Sequence, residues 1–191
     1  RPSRQAPPCL TMEMGYYIIS RINSGRDTNE ELFLINFAGK AGTEKYVENL
    51  VRIFSAADND CRLAYNISGE LSEKLAARGV PCFQIKLDGN PLAAAKQLAA
   101  YCREHEIEVI HAQYPRENII ALLSLRHYAA PKVVYTNHLT IRSGLKWRVL
   151  NRIFTPRDHK IIAVCREGRD IMVQNGVCPE RIEVIYNGVE P

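Results

Sequence analysis

Residues 32–54 read LFLINFAGKAGTEKYVENLVRIF, and the reading of this stretch decides the fold. A six-residue apolar run (32–37) gives way to a turn holding Gly39 and Gly42. Then Tyr46, Val47, Leu50, Val51 and Phe54 recur at i, i+3 and i+4. The run predicts a strand, and the recurrence predicts one face of a helix over 44–57, with Thr43 placed to cap it. The strand is continuously apolar rather than alternating, as expected where helices cover both faces of a parallel sheet.

The same alternation runs on to the end of the chain. Further strands are predicted at 61–67 (CRLAYNI), 81–87 (PCFQIKL), 108–114 (EVIHAQY), 132–138 (KVVYTNH), 160–165 (KIIAVC) and 181–187 (RIEVIYN). Between them lie a short helix after Ser68 that carries Leu71 and Leu75 and closes at Gly79, and a helix over 91–105 with Asn90 as cap and Pro91 at its first position. Helices are also predicted at 116–129, 145–155 and 167–175, the last ended by Gly176. The fold class is α/β, a Rossmann-like, doubly wound, mainly parallel sheet of about seven strands. Two ends stand apart. Residues 1–30, with one possible strand at GYYIIS (15–20), read as an extension, and the stop directly after an apolar strand suggests that a second domain or a returning helix belongs beyond it.

Composition narrows the class. Of 191 residues 46 % are hydrophobic and 24 % charged, which excludes a disordered or collagen-like chain, and no apolar run approaches the length of a membrane span. The net charge of +4 is too small to point to nucleic acid. Its placement is more telling, because residues 126–160 hold Arg126, Lys132, Arg142, Lys146, Arg148, Arg152, Arg157 and Lys160 against Asp158 alone. Two readings of LKWRVLNRIF (145–154) stay open: a sheet-covering helix with a solvated basic face, or a face that meets anionic lipid or a phosphorylated acceptor. The six cysteines form no CxxC pair, and Cys61, Cys82 and Cys165 sit in apolar runs as small hydrophobes of a reducing compartment, which points to the cytoplasm.

In open α/β sheets ligands bind beyond the carboxyl ends of the strands, so the residues at those ends are the candidates. After the first strand, Gly39, Lys40, Gly42 and Thr43 offer a sharp turn and the free amides of a helix start, either as a plain turn or as a site for an anion or a hydroxylated ligand. The spacing is neither GxGxxG nor a P-loop, and Asn66 stands where a ribose-binding acid would be expected, so a dinucleotide site is disfavoured. After the fourth strand come His111, a structural or a ligand-binding histidine, and Arg116, a candidate anion clamp; Glu117 and Asn118 either cap the next helix or line the site. The fifth strand ends in Asn137 and His138, and that imidazole is the sharpest candidate for binding hydroxyls or moving a proton. Arg166 and Glu167, then Asn187 and Gly188, complete the rim. The five histidines and six cysteines show no metal-ligand spacing, and no GxSxG is present, so metal-free chemistry without a protein nucleophile is expected.

Taken together, AGKAGTEKYVENL, VIHAQYPREN, VVYTNHL, IIAVCREGRDIM and GVCPERIEVIYNGVEP resemble, in order and spacing over residues 31–191, the amino-terminal domain of GT-B glycosyltransferases of the retaining family 4. The last string resembles the hinge into the second Rossmann-like domain of that family. The first loop departs from the pattern at Lys40, where a small residue is common. The resemblance implies one half of a GT-B fold: an acceptor-binding domain whose donor-binding partner domain is absent from the chain. It implies transfer of a sugar, with retention, from a nucleotide sugar to a hydroxyl acceptor that is a glycan or lipid-linked, in cell-surface glycan or glycolipid synthesis.

The nucleotide sugar is a co-substrate, and no cofactor is implied. His138 would be the catalytic-cleft histidine. Gly39, Lys40, Gly42 and Thr43 would line the acceptor or donor-phosphate side, His111, Arg116, Glu117 and Asn137 the acceptor side, and Arg166, Glu167, Asn187 and Gly188 the interdomain cleft. The 191 residues alone are expected to be inactive. Another GT-B enzyme, such as a nucleotide-sugar epimerase, and a non-catalytic α/β binding module remain alternatives.

Overall fold

The computed structural model describes residues 30–56 and 59–186. The possible strand at 15–20 and the rim residues Asn187 and Gly188 lie outside them. Among the described residues seven strands form one sheet: β1 (Glu30–Phe37), β2 (Asp60–Ile67), β3 (Cys82–Gln84), β4 (Val109–Ala112), β5 (Lys132–Asn137), β6 (Lys160–Ala163) and β7 (Ile182–Val184). Every neighbouring pair is parallel, in the order β3-β2-β1-β4-β5-β6-β7. The helices are α1 (Gly42–Ser55), α2 (Glu70–Ala77), α3 (Pro91–Glu104), α4 (Pro115–Ser124), α5 (Leu145–Phe154) and α6 (Arg166–Gln174).

The continuous apolar runs are explained by cover on both faces. Leu32, Phe33, Leu34 and Ile35 of β1 are all fully buried, but alternate residues go to different cores. Phe33 and Ile35 pack with Val47, Leu50 and Phe54 of α1 and with Leu71 and Leu75 of α2. Leu32 and Leu34 pack with Ala95 and Leu98 of α3 and Ile119 and Ile120 of α4. The chain thus winds outward from β1 to β3 with one set of helices on one face, then returns to lay β4 beside β1 and winds the other way. At that reversal the loops after β1 and β4 leave for opposite faces, which opens a crevice at the carboxyl edge of the sheet.

Several boundaries move, each for a local reason. Glu30 pairs with Asp60 in the ladder, so the first strand starts ahead of the expected residue 32. The fourth strand stops at Ala112 because Pro115, at the first position of α4, cannot continue a ladder. Helix α4 ends at Ser124 rather than at 129. Edge strand β3 is only three residues long, although Ile85 and Leu87 beyond it remain buried.

Caps differ as well. Asn90 does cap α3, its side chain accepting from the Leu92 amide at 2.9 Å, and Gly79 and Gly176 follow α2 and α6 at φ of +82° and +83°. Thr43, by contrast, is not a cap: α1 starts at Gly42 after Ala41, and Thr43 sits inside its first turn. Glu117 and Asn118 do not cap α4 either, since Tyr114 occupies the cap position without a side-chain bond and both residues are buried.

Helix α5 departs furthest from the simple reading. Trp147, Leu150 and Phe154 pack against the core, whereas Leu145, Val149 and Ile153 are 75 %, 49 % and 54 % exposed. The apolar residues therefore do not share one inward side. Cys61 is buried, as expected, while Cys82 and Cys165 are only half-buried. Cys165 instead caps α6, its Sγ accepting from the Gly168 amide at 3.2 Å.

Candidate functional site

The loop after β1 is held from below. The Ala38 amide donates to the Ile67 carbonyl at 2.9 Å, and the Leu71 amide donates to the carbonyls of Ala38 and Gly39. Gly69 lies so close beneath that a Cβ there would stand 2.7 Å from the Ala38 carbonyl oxygen, so only glycine permits this packing. The following turn of α1 brings Thr43 and Tyr46 to the crevice. Tyr114, just past β4, donates its hydroxyl to Thr43 Oγ1 at 2.9 Å and so ties the two loops across the reversal of the sheet.

His138 lies against this junction. Its ring meets Tyr46 edge-on at 5.0 Å between centroids and Tyr114 at 6.2 Å. Its Nε2 is 3.0 Å from Oε1 of Gln113, a fully buried side chain at the end of β4. Gln113 spends its amide Nε2 on the His111 carbonyl, 3.2 Å away, which fixes which end of the side chain faces His138. A carboxamide oxygen only accepts, so His138 Nε2 carries the proton and Nδ1 keeps the lone pair. Burial, with a smaller contribution from His111, pushes the His138 pKa down to about 4. The imidazole is thus neutral at physiological pH and acts as an acceptor at Nδ1.

Beneath it runs a buried polar row. His111 Nδ1 meets Glu31 Oε1 at 3.2 Å and its Nε2 meets Thr136 Oγ1 at 2.8 Å, with the Phe33 ring tilted alongside at 5.4 Å between centroids. Glu31 and His111 are both fully buried, and burial raises the Glu31 carboxyl above its usual value against the lowering pull of the His111 hydrogen bond. His111 is therefore part of the floor. The acceptor-contacting place expected for it is corrected, because no part of its side chain reaches the crevice.

The other expected residues are dispersed along the rim. Asn137 folds back on its own turn, donating to the Leu139 carbonyl at 2.9 Å and accepting from the Leu139 amide at 3.2 Å, so its polar atoms serve the loop rather than pointing outward. Lys40 is 81 % exposed and pairs with Glu70 at 3.3 Å. Arg116 is exposed and reaches the Gly89 carbonyl at 3.3 Å, towards the β3 side and away from His138. Glu117 is almost fully buried, and its carboxyl is pushed up to about 7 by that burial. Arg166 and Glu167 are exposed in the first turn of α6, which abuts the loop after His138 through Gly168, whose added Cβ would lie 3.7 Å from Thr140 Cγ2.

Sequence reasoning overlooked four residues. Tyr46 reads as core from its helical spacing, and its ring also packs edge-on against His138. Gln113 and Tyr114 stand in the polar cluster VIHAQYPREN but are not singled out there, and a glutamine two residues after His111, at the close of the same strand, is the available signal. Asn175 had no signal at all. It binds the loop that follows His138, accepting from the Ser143 amide at 2.7 Å and donating to the Ile141 carbonyl at 2.8 Å. This loop, with Pro115, Tyr135, Asn151 and Met172, encloses a cavity of about 140 Å³ on the α4–α6 face. Among the described residues no group of three or more His, Cys, Asp or Glu is placed to hold a metal ion, and no helix is long and apolar enough to cross a membrane.

A parallel sheet with its histidine-bearing crevice at the strand reversal defines one Rossmann-like half of a GT-B fold. The chain belongs to Glycosyltransferase Family 4, whose sequence profile matches residues 41–191. Solved structures agree on the fold. Anabaena Alr3699/HepE in complex with UDP superposes with a TM-score of 0.70 at 18 % identity, over 84 % of this chain and 44 % of that one. A glycosyltransferase from Rickettsia africae ESF-5 gives 0.71 at 15 % identity, over 84 % and 44 %. UDP-GlcNAc 2-epimerase from Methanocaldococcus jannaschii gives 0.57 at 8 %, over 81 % and 45 %. The chain thus spans less than half the length of these proteins. No curated protein matches the sequence.

Proposed function

We propose that this domain is the acceptor-binding half of a retaining glycosyltransferase, which moves a sugar from a nucleotide sugar to a hydroxyl group of a glycan or lipid-linked acceptor. The observation that carries the reading is the convergence of Thr43, Tyr46, Gln113 and Tyr114 on a neutral His138 at the strand reversal. The UDP bound to the Anabaena protein supports a nucleotide-sugar donor. Neutral His138 accepts a hydrogen bond from a sugar hydroxyl at Nδ1 and orients that sugar against the acceptor, while the walls of Tyr46 and Tyr114 limit water. Charge that develops on the leaving diphosphate is stabilised electrostatically by groups of a donor-binding domain, and no side chain of this half serves as nucleophile. Lys40, Gly39 and Gly42 border the donor-phosphate side, and Arg166 and Glu167 face the second domain.

The enzyme works at the cytoplasmic face of a membrane, in cell-surface glycan or glycolipid synthesis. The test is turnover of donor and acceptor by the two-domain enzyme carrying His138→Ala. A loss of kcat of roughly a hundredfold is expected for removal of one positioned polar group, and an unchanged rate overturns the assignment. Residues 1–191 alone transfer no sugar. The likeness to an epimerase structure keeps one second reading in view, and isomerisation of the nucleotide sugar with no acceptor present would select it.

A further inference from the structure

We infer that α5 is a membrane-docking helix, with its outer face built to lie on an anionic phospholipid bilayer. The argument rests on the surface of one helix and is independent of the transfer chemistry. Successive helical residues turn by about 100°. Trp147, Leu150, Asn151 and Phe154 therefore share one side, and this is the side packed into the domain. Leu145, Val149 and Ile153 follow one another at i, i+4 and i+8 on the opposite side, 75 %, 49 % and 54 % exposed. Ile141, in the loop that leads into the helix, is 63 % exposed. An exposed apolar stripe on a helix that already has a buried face is not needed to cover the sheet.

Basic residues border the stripe on both sides. By the same rotation Arg148 and Arg152 lie along one edge and Lys146 along the other, all exposed, and Arg142 and Arg157 lie just beyond the two ends. Residues 126–157 contain no Asp or Glu. None of the five cations forms an ion pair with a carboxylate among the described residues. Apolar side chains flanked by unneutralised lysine and arginine are the pattern of a helix lying in the headgroup region, with its stripe in the acyl boundary and its cations at the phosphates. A second copy of the chain fits poorly, because its own α5 would bring a matching positive rim against this one. Single-stranded nucleic acid would need stacking aromatics, and the outer face has none.

The test is co-sedimentation of the 191-residue chain with vesicles of phosphatidylcholine alone and of an equal mixture with phosphatidylglycerol. Binding to the mixed vesicles only is expected, weakening as salt is raised. Each cation near such a surface contributes about fivefold, so Arg148→Gln with Arg152→Gln should weaken binding by roughly 25-fold. Leu145→Ser with Val149→Ser and Ile153→Ser should abolish it, whereas Leu92→Ser, equally exposed but on α3, should leave it unchanged. Trp147, the only tryptophan, sits on the packed side of α5, so an unaltered emission spectrum verifies that the variants are folded. Failure of the wild-type chain to bind, equal binding to phosphatidylcholine alone, or undiminished binding by the triple variant overturns the proposal. So does a dimer in sedimentation velocity that the triple variant dissolves, which would assign the face to a second copy.

Discussion

Protonating His138 is the sharpest perturbation available without altering the sequence. Its pKa is pushed from 6.5 down to about 4, because the half-buried ring loses water and, to a smaller extent, because His111 lies nearby. The unfolded chain then binds more protons than the folded one between those two values, so stability is intact above about pH 6.5 and declines as the pH falls towards 4. The full difference of some 2.5 pKa units corresponds to about 3 kcal/mol, of which about 2 kcal/mol is lost by pH 5. That is a sizeable part of the 5–15 kcal/mol typical of a domain. Urea unfolding at about pH 7.5 and pH 5, compared between wild type and His138→Gln, isolates this contribution from the other titrating groups. The variant should lose about 2 kcal/mol less on acidification. Nitrogen-15 spectra of the ring should show the proton on Nε2 and no titration above pH 5. A ring that titrates near 6.5 refutes the reasoning about burial, and one that carries its proton on Nδ1 refutes the reasoning about Gln113.

The Glu117 carboxyl behaves in the opposite sense. Burial raises it to about 7, so the folded state holds its proton more tightly and stability falls as the pH rises from 4.5 through 7; Glu117→Gln should raise Tm at about pH 8 and change little at pH 4.5. Gly176→Ala should cost more than 2 kcal/mol in urea unfolding, because its left-handed φ is coupled to a Cβ position 2.4 Å from the Arg148 carbonyl oxygen, whereas Gly79→Ala, with a similar φ and open space, should cost about 1 kcal/mol. Asn175→Ala strands the Ser143 amide and the Ile141 carbonyl, which should destabilise by about 2 kcal/mol and speed tryptic cleavage after Arg142.

The sheet was legible because its signal is collective. Each of the seven strands announced itself as an apolar run closed by a turn, and the two-sided burial of residues 32–35 is what such a run implies. Strand ends were less legible, since an apolar run does not say where hydrogen bonding stops, and Gln113 and Tyr114 were assigned to a strand that they have already left. Caps misled for a related reason. Thr43 is a good capping residue by type, but the hydroxyl of Tyr114, distant in sequence, claims it instead. The site was legible as a rim of loops and not as a set of contacts: Arg116 stood two residues from the key tyrosine and turned away to Gly89.

The two strand-end histidines show how narrow the margin is. VIHAQ and YTNHL look equivalent, since each places an imidazole beside polar neighbours at the close of an apolar run. In the structure His111 is the third residue of a four-residue strand and pairs with Val134, while His138 is the first residue past Asn137, which ends β5. His111 is therefore sealed between sheet and helix, where an imidazole persists only because Glu31 and Thr136 satisfy both ring nitrogens. His138 lies one step beyond the ladder, where Gln113 claims its Nε2. The side chain that holds His138 is itself anchored on the main chain of His111, so the fully buried histidine fixes the position of the half-buried one. A disturbance of the Glu31–His111–Thr136 row should accordingly reach the crevice through Gln113, by loosening the acceptor that sets the tautomer of His138.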